Sequence, residues 1–475
     1  MMHFFYLFIF ATLTTAIPLD DANHIFNAIH SSMRQWGSSL NHNGMSFFLA
    51  SVPQGTTFYH GSSRPDIIVG VEWLAFDPEQ ALLFAREPPH RPGHNKPAEN
   101  DQKVITMTAK DKEAGGWLHT YKTAKELRLV YIDGMSAAKS EIGPLDSQDR
   151  ILFNDSITAG GMRQELQRAK KVCQVATEEW DNRIDGVIRM EAGFEVILCA
   201  TEHNLNPVRI TRSQAQRLND GHDGKRRPDP IKGGELLRVL SSRYNGIGGN
   251  RVAVNYDHFL SVYNSSLDLF PRESDLPRLE HLPAASIQLI RKQLTDLVMN
   301  YDVHGQVNWQ AISDMTVGQY GRRLRDLAYS SRFSTIESLS ADIARFWTPF
   351  LDPDNSSCHD EIQRCSGRFI PNGQVNSSSL AYNAVYSVNE QICSTLATVL
   401  YEDSNHTVAI GRLRELMIYL AWPMWKECNG CQDDEFCAIP MWPHGTKKDY
   451  DHPRCQEFDS AYPSDHDDSY WGPRM

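Results

Sequence analysis

Hydrophobic and polar positions follow two different periods along this chain. Over the first two hundred residues, short runs alternate or read as compact apolar strands: 46–51, 56–60, 103–108, 126–132, 186–190 and 194–200. Two amphipathic helices interrupt them. Asp20–Trp36 carries Ile25, Phe26, Ile29 and Met33 on one side, and Met162–Trp180 carries Leu166, Ala169, Cys173 and Ala176. Beyond residue 280 the period becomes helical, over 284–300, 317–329, 335–346, 380–400 and 408–421. Strands mixed with a few helices, without strict alternation, predict an α+β domain, and the later stretch predicts a mainly α-helical one.

A chain of 475 residues exceeds what one core usually organises, so more than one domain is expected. The apolar run Phe4–Leu13 is too short to span a bilayer, and small residues Thr14-Thr15-Ala16 follow it. Residues 1–16 therefore read as a secretory signal peptide, with the mature protein secreted and held by no membrane. The α+β domain is expected over 17–218. The polar, Gly- and Pro-containing stretch 219–233 reads as a linker. A helical domain over 234–423 and a Cys-rich segment with an acidic tail over 424–475 complete the predicted order.

Net charge is −12 and no basic stripe offsets it, which excludes nucleic acid as an expected partner. Asn154, Asn264, Asn355, Asn376 and Asn405 each open an Asn-x-Ser/Thr triplet and are candidate glycosylation sites. The nine cysteines include seven late ones: Cys358, Cys365, Cys393, Cys428, Cys431, Cys437 and Cys455. In an exported chain these read as a disulfide framework, and the odd total leaves at least one thiol free or paired between chains. Cys428-Asn429-Gly430-Cys431 has zinc-knuckle spacing, but no second Cys-x-x-Cys or His-x-His follows, so no metal is expected.

Candidate chemistry lies in the first half. Thr57-Phe58-Tyr59-His60-Gly61 reads as a strand ending at a glycine. Trp73-Leu74-Ala75-Phe76-Asp77-Pro78-Glu79 reads as a strand leading into a helix with Asp77 at the N-cap and Pro78 in its first turn. Gly193-Phe194-Glu195-Val196-Ile197 sets a lone carboxylate in an apolar strand, a costly position unless it works in a site or faces solvent. Together these motifs resemble the ADP-ribosyltransferase family over residues 45–200. The resemblance implies a split mixed sheet and NAD as substrate. It also implies His60 and Glu195 as catalytic residues, the former on the ribose and the latter opposing an oxocarbenium-like sugar. Tyr59, Gly61 and Trp73 would contact the cofactor. Trp73-Leu74-Ala75 lacks the hydroxyl that the family's second motif carries.

Trp117–Thr123, Tyr131–Ala137 and Leu145–Asp149 look like secreted proteins of filamentous fungi whose function is not assigned. His119, Asp133 and Ser136 do not make a hydrolase elbow, because Gly134-Met135-Ser136-Ala137-Ala138 lacks its second glycine. Two functions remain in view. One is transferase or NAD-glycohydrolase activity on an unidentified protein or small molecule. The other is a non-catalytic secreted or wall-binding protein using a degenerate form of the same domain.

Overall fold

A computed structural model of the chain describes residues 19–85, 116–157, 164–213, 250–271, 274–354, 357–371, 375–457 and 469–472. The expected signal peptide, the strand at 103–108, the linker at 219–233 and Asn355 lie outside these residues. The described chain divides into two compact units. One comprises the described residues of Asn27–Asp314 and of Trp422–Met475, the other those of Met1–Phe26 and of Met315–Ala421.

The first unit is built on nine strands: β1 (Asn43–Val52), β2 (Thr57–Ser62), β3 (Glu72–Ala75), β4 (Trp117–Thr123), β5 (Leu127–Gly134), β6 (Gly186–Glu191), β7 (Gly193–Leu198), β8 (Leu205–Arg212) and β9 (Ala253–Ser261). They form one continuous sheet in the order β8-β4-β2-β3-β7-β6-β5-β1-β9, where a split sheet was expected. Every pairing is antiparallel except β5 with β6. All ten residues of β1 are buried, as a strand covered on both faces requires. That coverage explains why its Met45-Ser46-Phe47-Phe48-Leu49 run does not alternate.

Residues opposite one another in these pairs share a face, which sorts the side chains into two sets. Phe47, Leu49, Trp73, Val130, Ile132, Val187 and Ile197 form one apolar layer. Covering this layer are a one-turn π-helix (Ser147–Leu152), helix α4 (Glu165–Glu178) and helix α5 (Ala284–Asn300), which supply Ile151, Val172, Val175, Ile287, Ile290 and Leu294. The opposite face stacks Phe48 on Phe259, with ring centroids 4.7 Å apart, and sets Tyr131 beside Phe48. Helix α1 (Ala22–Ser31), helix α2 (Gln35–Leu40) and the five-residue helix α3 (Pro78–Leu82) complete the early part of the chain.

The expected end of the α+β domain at residue 218 needs correcting. Strand β9 pairs along β1 from Ser46↔Ser261 to Ser51↔Ala253, and α5 packs on the same core. The unit also takes in the Cys-rich segment, which is not loop alone: β10 (Glu435–Ala438) and β11 (Arg454–Glu457) form a hairpin. Its end is fastened through His42. Asn43 donates its amide to Ile142 O and Pro277 O, so its Oδ1 faces His42 and must accept from Nδ1–H at 2.6 Å. His42 Nε2 then keeps its lone pair and accepts from the Tyr470 hydroxyl at 2.6 Å. Burial drives the His42 pKa down to about 4, consistent with this neutral tautomer.

The second unit is helical: the later part of α6 (Trp309–Tyr329), α7 (Ile336–Trp347), α8 (Cys358–Ser366), α9 (Leu380–Tyr401) and α10 (His406–Leu420). Thr335 and Ser338 cap α7 reciprocally, and Ser379 and Asn405 cap α9 and α10 through their side-chain oxygens. Val385, Val388, Ile392 and Leu396 of α9 are fully or almost fully buried. Glu361 is also buried, and it is satisfied by Trp347 Nε1 and the Tyr401 hydroxyl, both at 2.8 Å.

Four disulfides pair Cys173 with Cys199, Cys365 with Cys393, Cys428 with Cys437 and Cys431 with Cys455. Cys358, expected within the late framework, is instead exposed and unpaired, and early Cys173 and Cys199 find each other. The reason is geometric: Cys365 of α8 lies against Cys393 of α9, whereas Cys358 sits two helical turns earlier on α8, out of reach. Titration of the native, unreduced protein with a thiol reagent should give one reactive thiol, lost in Cys358→Ser.

Candidate functional site

The two residues expected to share a catalytic cleft are set by strand register. Tyr59 of β2 stands opposite Ala75 of β3, and Ala75 stands opposite Glu195 of β7. Tyr59, Ala75 and Glu195 therefore share one face, and His60, the next residue after Tyr59, points to the other. Trp73, two residues before Ala75, lies on the Glu195 side and is 4 % exposed within the apolar layer, so it has no face to offer a nicotinamide. Gly61 serves packing: a Cβ there would lie 1.9 Å from Ala81 O, so it lets α3 close on β2. The joint site of His60, Glu195, Tyr59, Gly61 and Trp73 is not formed. A one-residue offset in register decides this, because side chains in a strand alternate.

On its own face, Glu195 belongs to a buried ionic network. It accepts from Arg189, its cross-strand partner on β6, through Nε at 3.1 Å and Nη2 at 2.5 Å. Arg189 Nη2 also reaches Glu165 Oε2 of α4 at 2.7 Å, and Nη1 donates to Gln148 Oε1 at 2.8 Å. Glu165 receives Arg168 at 3.2 Å, and Arg168 grips Asp149 with two bonds at 2.8 and 2.7 Å. At one edge Lys139 meets Glu191 at 2.7 Å and lies over the Trp442 ring. Burial opposes the Arg189 charge, but Glu165 and Glu195 outweigh it and raise its pKa. Burial alone would lift Glu165; Arg189, Lys139 and Arg168 overcome that and hold it at about 2. Glu191 goes the other way. Burial pushes it up to about 7 against the pull of Lys139, with Glu195 and Glu165 adding to the rise.

The opposite face carries a second polar group around His60. Its Nδ1 lies 2.8 Å from Trp73 O, which can only accept, so Nδ1 holds the proton and Nε2 keeps a lone pair. His119, opposite His60 on β4, is fixed in the other tautomer. Its Nε2 donates to Arg64 O at 2.9 Å, and its Nδ1 accepts at 3.0 Å from the Tyr121 hydroxyl, which receives Ile68 N–H. The two imidazole centroids are 5.7 Å apart. Glu72 lies 4.0 Å from His60. Burial lowers His60 to about 4 and raises Glu72 to about 7, so both are neutral between those values and form no ion pair there.

Asp133 and Ser136 are held by the backbone. Asp133 Oδ1 accepts from Ser46 N at 2.7 Å, and Ser136 Oγ donates to Ile132 O at 2.9 Å. His119 is remote from both, since four strands separate β4 from β5. A cavity of about 360 Å³ in this unit is lined by Trp425, Lys426, Asn429, Asp451, His452 and Arg454, among others. Trp425 stacks on Trp422 with centroids 5.1 Å apart, and Lys426 lies over the Tyr450 ring and donates to Tyr450 O at 3.0 Å. Cys428–Cys437 and Cys431–Cys455 brace the rim. Reading the sequence for catalytic pairs missed this cavity. Its only advance signal was aromatic residues among closely spaced cysteines.

A family model described as the YPL277C N-terminal domain matches residues 8–100 and 90–218. That stretch runs from β1 through β8 and includes both His60 and Glu195. Two Saccharomyces cerevisiae proteins, each named as uncharacterized, are similar to part of the chain. YOR389W is 30% identical over 202 residues, covering 38% of this chain and 32% of its own length. YPL277C is 29% identical over 202 residues, covering 38% of this chain and 41% of its own length. The chain thus spans about a third of one relative and about two fifths of the other. No solved structure matches.

Two outcomes follow from the ionic network. Glu195→Gln should lower the unfolding free energy by about 3 kcal/mol, because a buried guanidinium loses one of its carboxylates; denaturant titration measures it. Glu191→Gln should change how stability depends on pH. A carboxyl raised from 4.5 to about 7 on folding contributes stability that is present below 4.5 and lost as pH rises toward 7. The variant's stability profile should lack that fall, as thermal melts across the window would show.

Proposed function

We propose that this chain is an exported, disulfide-braced binding protein whose α+β unit does not split NAD. The observation that carries the reading is the register Tyr59↔Ala75↔Glu195, which sends His60 and Glu195 to opposite faces. An oxocarbenium-like transition state needs its carboxylate and its ribose contacts on one side of the substrate. Glu195 is also engaged by Arg189 beneath α4, with no open face for a ribosyl cation.

The binding side of the proposal rests on the cavity at the Cys-rich end. Partly exposed Trp425 offers an aromatic surface beside carboxylate, amide, imidazole and guanidinium groups, a mixture suited to the apolar face and hydroxyl rim of a sugar ring. A neutral wall glycan is the ligand class we assign to it. Export is supported by the Phe4–Leu13 run and by four disulfides.

The test uses protein purified from culture medium. Incubation with NAD should release no nicotinamide above the buffer rate, whereas steady turnover would overturn the non-catalytic reading. Titration with β-glucan and chitin oligosaccharides, followed by tryptophan fluorescence, should give saturable quenching that Trp425→Ala abolishes. A flat titration with both sugars would remove the glycan assignment.

A further inference from the structure

Among the described residues, the buried asparagines and the asparagines that open Asn-x-Ser/Thr triplets share no member. Asn23, Asn27, Asn43, Asn204, Asn255, Asn383 and Asn389 are buried, and none of them opens an Asn-x-Ser/Thr triplet. Asn154, Asn264, Asn376 and Asn405 open such triplets and are all exposed. Their hydroxyl partners Ser156, Ser266, Ser378 and Thr407 are exposed as well, so both ends of each triplet face solvent.

Backbone geometry adds a second observation. Asn376 Oδ1 accepts from Ser378 N at 3.0 Å, closing a side-chain turn over its own triplet. Asn405 Oδ1 accepts from Thr407 N at 2.8 Å and Val408 N at 3.3 Å as the cap of α10. Both arrangements engage the oxygen of the amide, while the nitrogen, which would carry a sugar, takes no part in them. Asn154 has a left-handed φ of 50° in an exposed turn. Asn264 lies in the short 3-10 helix Val262–Ser265, directly after β9.

We infer that Asn154, Asn264, Asn376 and Asn405 carry N-linked glycans, two in each unit, attached where the native turns need only the amide oxygen. The step transfers an oligosaccharide from a lipid-linked diphosphate donor. The bond from sugar C1 to the diphosphate oxygen breaks, a C1–Nδ2 bond forms, the amide gives up one proton, and the lipid diphosphate leaves. The inference rests on the export reading.

The experiment separates the two. The full chain is produced in a eukaryotic host in two forms, with its own N-terminus and with an established leader placed ahead of it. Peptide mapping follows, before and after enzymatic release of N-glycans, which converts each formerly glycosylated Asn to Asp. All four positions should convert. Thr407→Ala and Ser378→Ala should each remove one glycan while keeping the Asn405 cap and the Asn376 turn, so circular dichroism and melting should stay native. Unmodified asparagine at all four positions in secreted protein would overturn the inference and leave export standing. Glycans on the leader-directed form alone would support the sites and overturn export.

Discussion

A guanidinium buried to 0 % exposure organises the α+β unit. Arg189 stands on the interior strand β6, and its donors reach Glu195 on β7, Glu165 on α4 and Gln148 on the π-helix. Apolar contact could hold these layers together at many offsets, whereas a planar fork with fixed donor directions accepts very few. The ion pairs need not add net stability, since taking these charges out of water is costly. Their effect is to make misplacement of α4 expensive, because any slip strands a charge in the apolar layer. The same demand ties up Glu195, the residue that looked most like a catalyst.

The helical elements were largely legible. Ile287, Ile290, Leu294, Leu297 and Val298 predicted α5 over the same residues that form it, because a one-sided apolar row on a helix has few alternatives. Strands β1, β2, β5, β6 and β7 were also found to within a few residues. Strand β4 was not: Trp117-Leu118-His119-Thr120-Tyr121 buries His119 and Tyr121 on one side, so its inward residues are polar and hide the alternation. Edge strands β8 and β9 escaped notice because β8 is mostly exposed and β9 mostly half-buried, which leaves no apolar row to read. The candidate site failed for a different reason. Each motif was read on a real strand, but which face a residue takes depends on pairing partners distant in sequence, and Tyr59 against His60 is a choice of parity that no local motif contains.

Disulfide placement follows the same division between local and distant information. Cys428, Cys431, Cys437 and Cys455 pair within one hairpin and its approach, close to what their crowding suggested. Cys173 and Cys199 meet because α4 packs on the sheet near the end of β7, which spacing alone does not reveal.

The hydrogen bond from Tyr470 to His42 joins residues 428 positions apart. A ribosome adds residues one at a time, at about 5–20 per second in a cell, so His42 emerges well before its partner exists. For that interval, roughly half a minute, an imidazole designed to be dry and neutral sits in a half-built sheet open to water and to other chains. The fold therefore carries a built-in delay between the synthesis of its first strand and the closure of that contact.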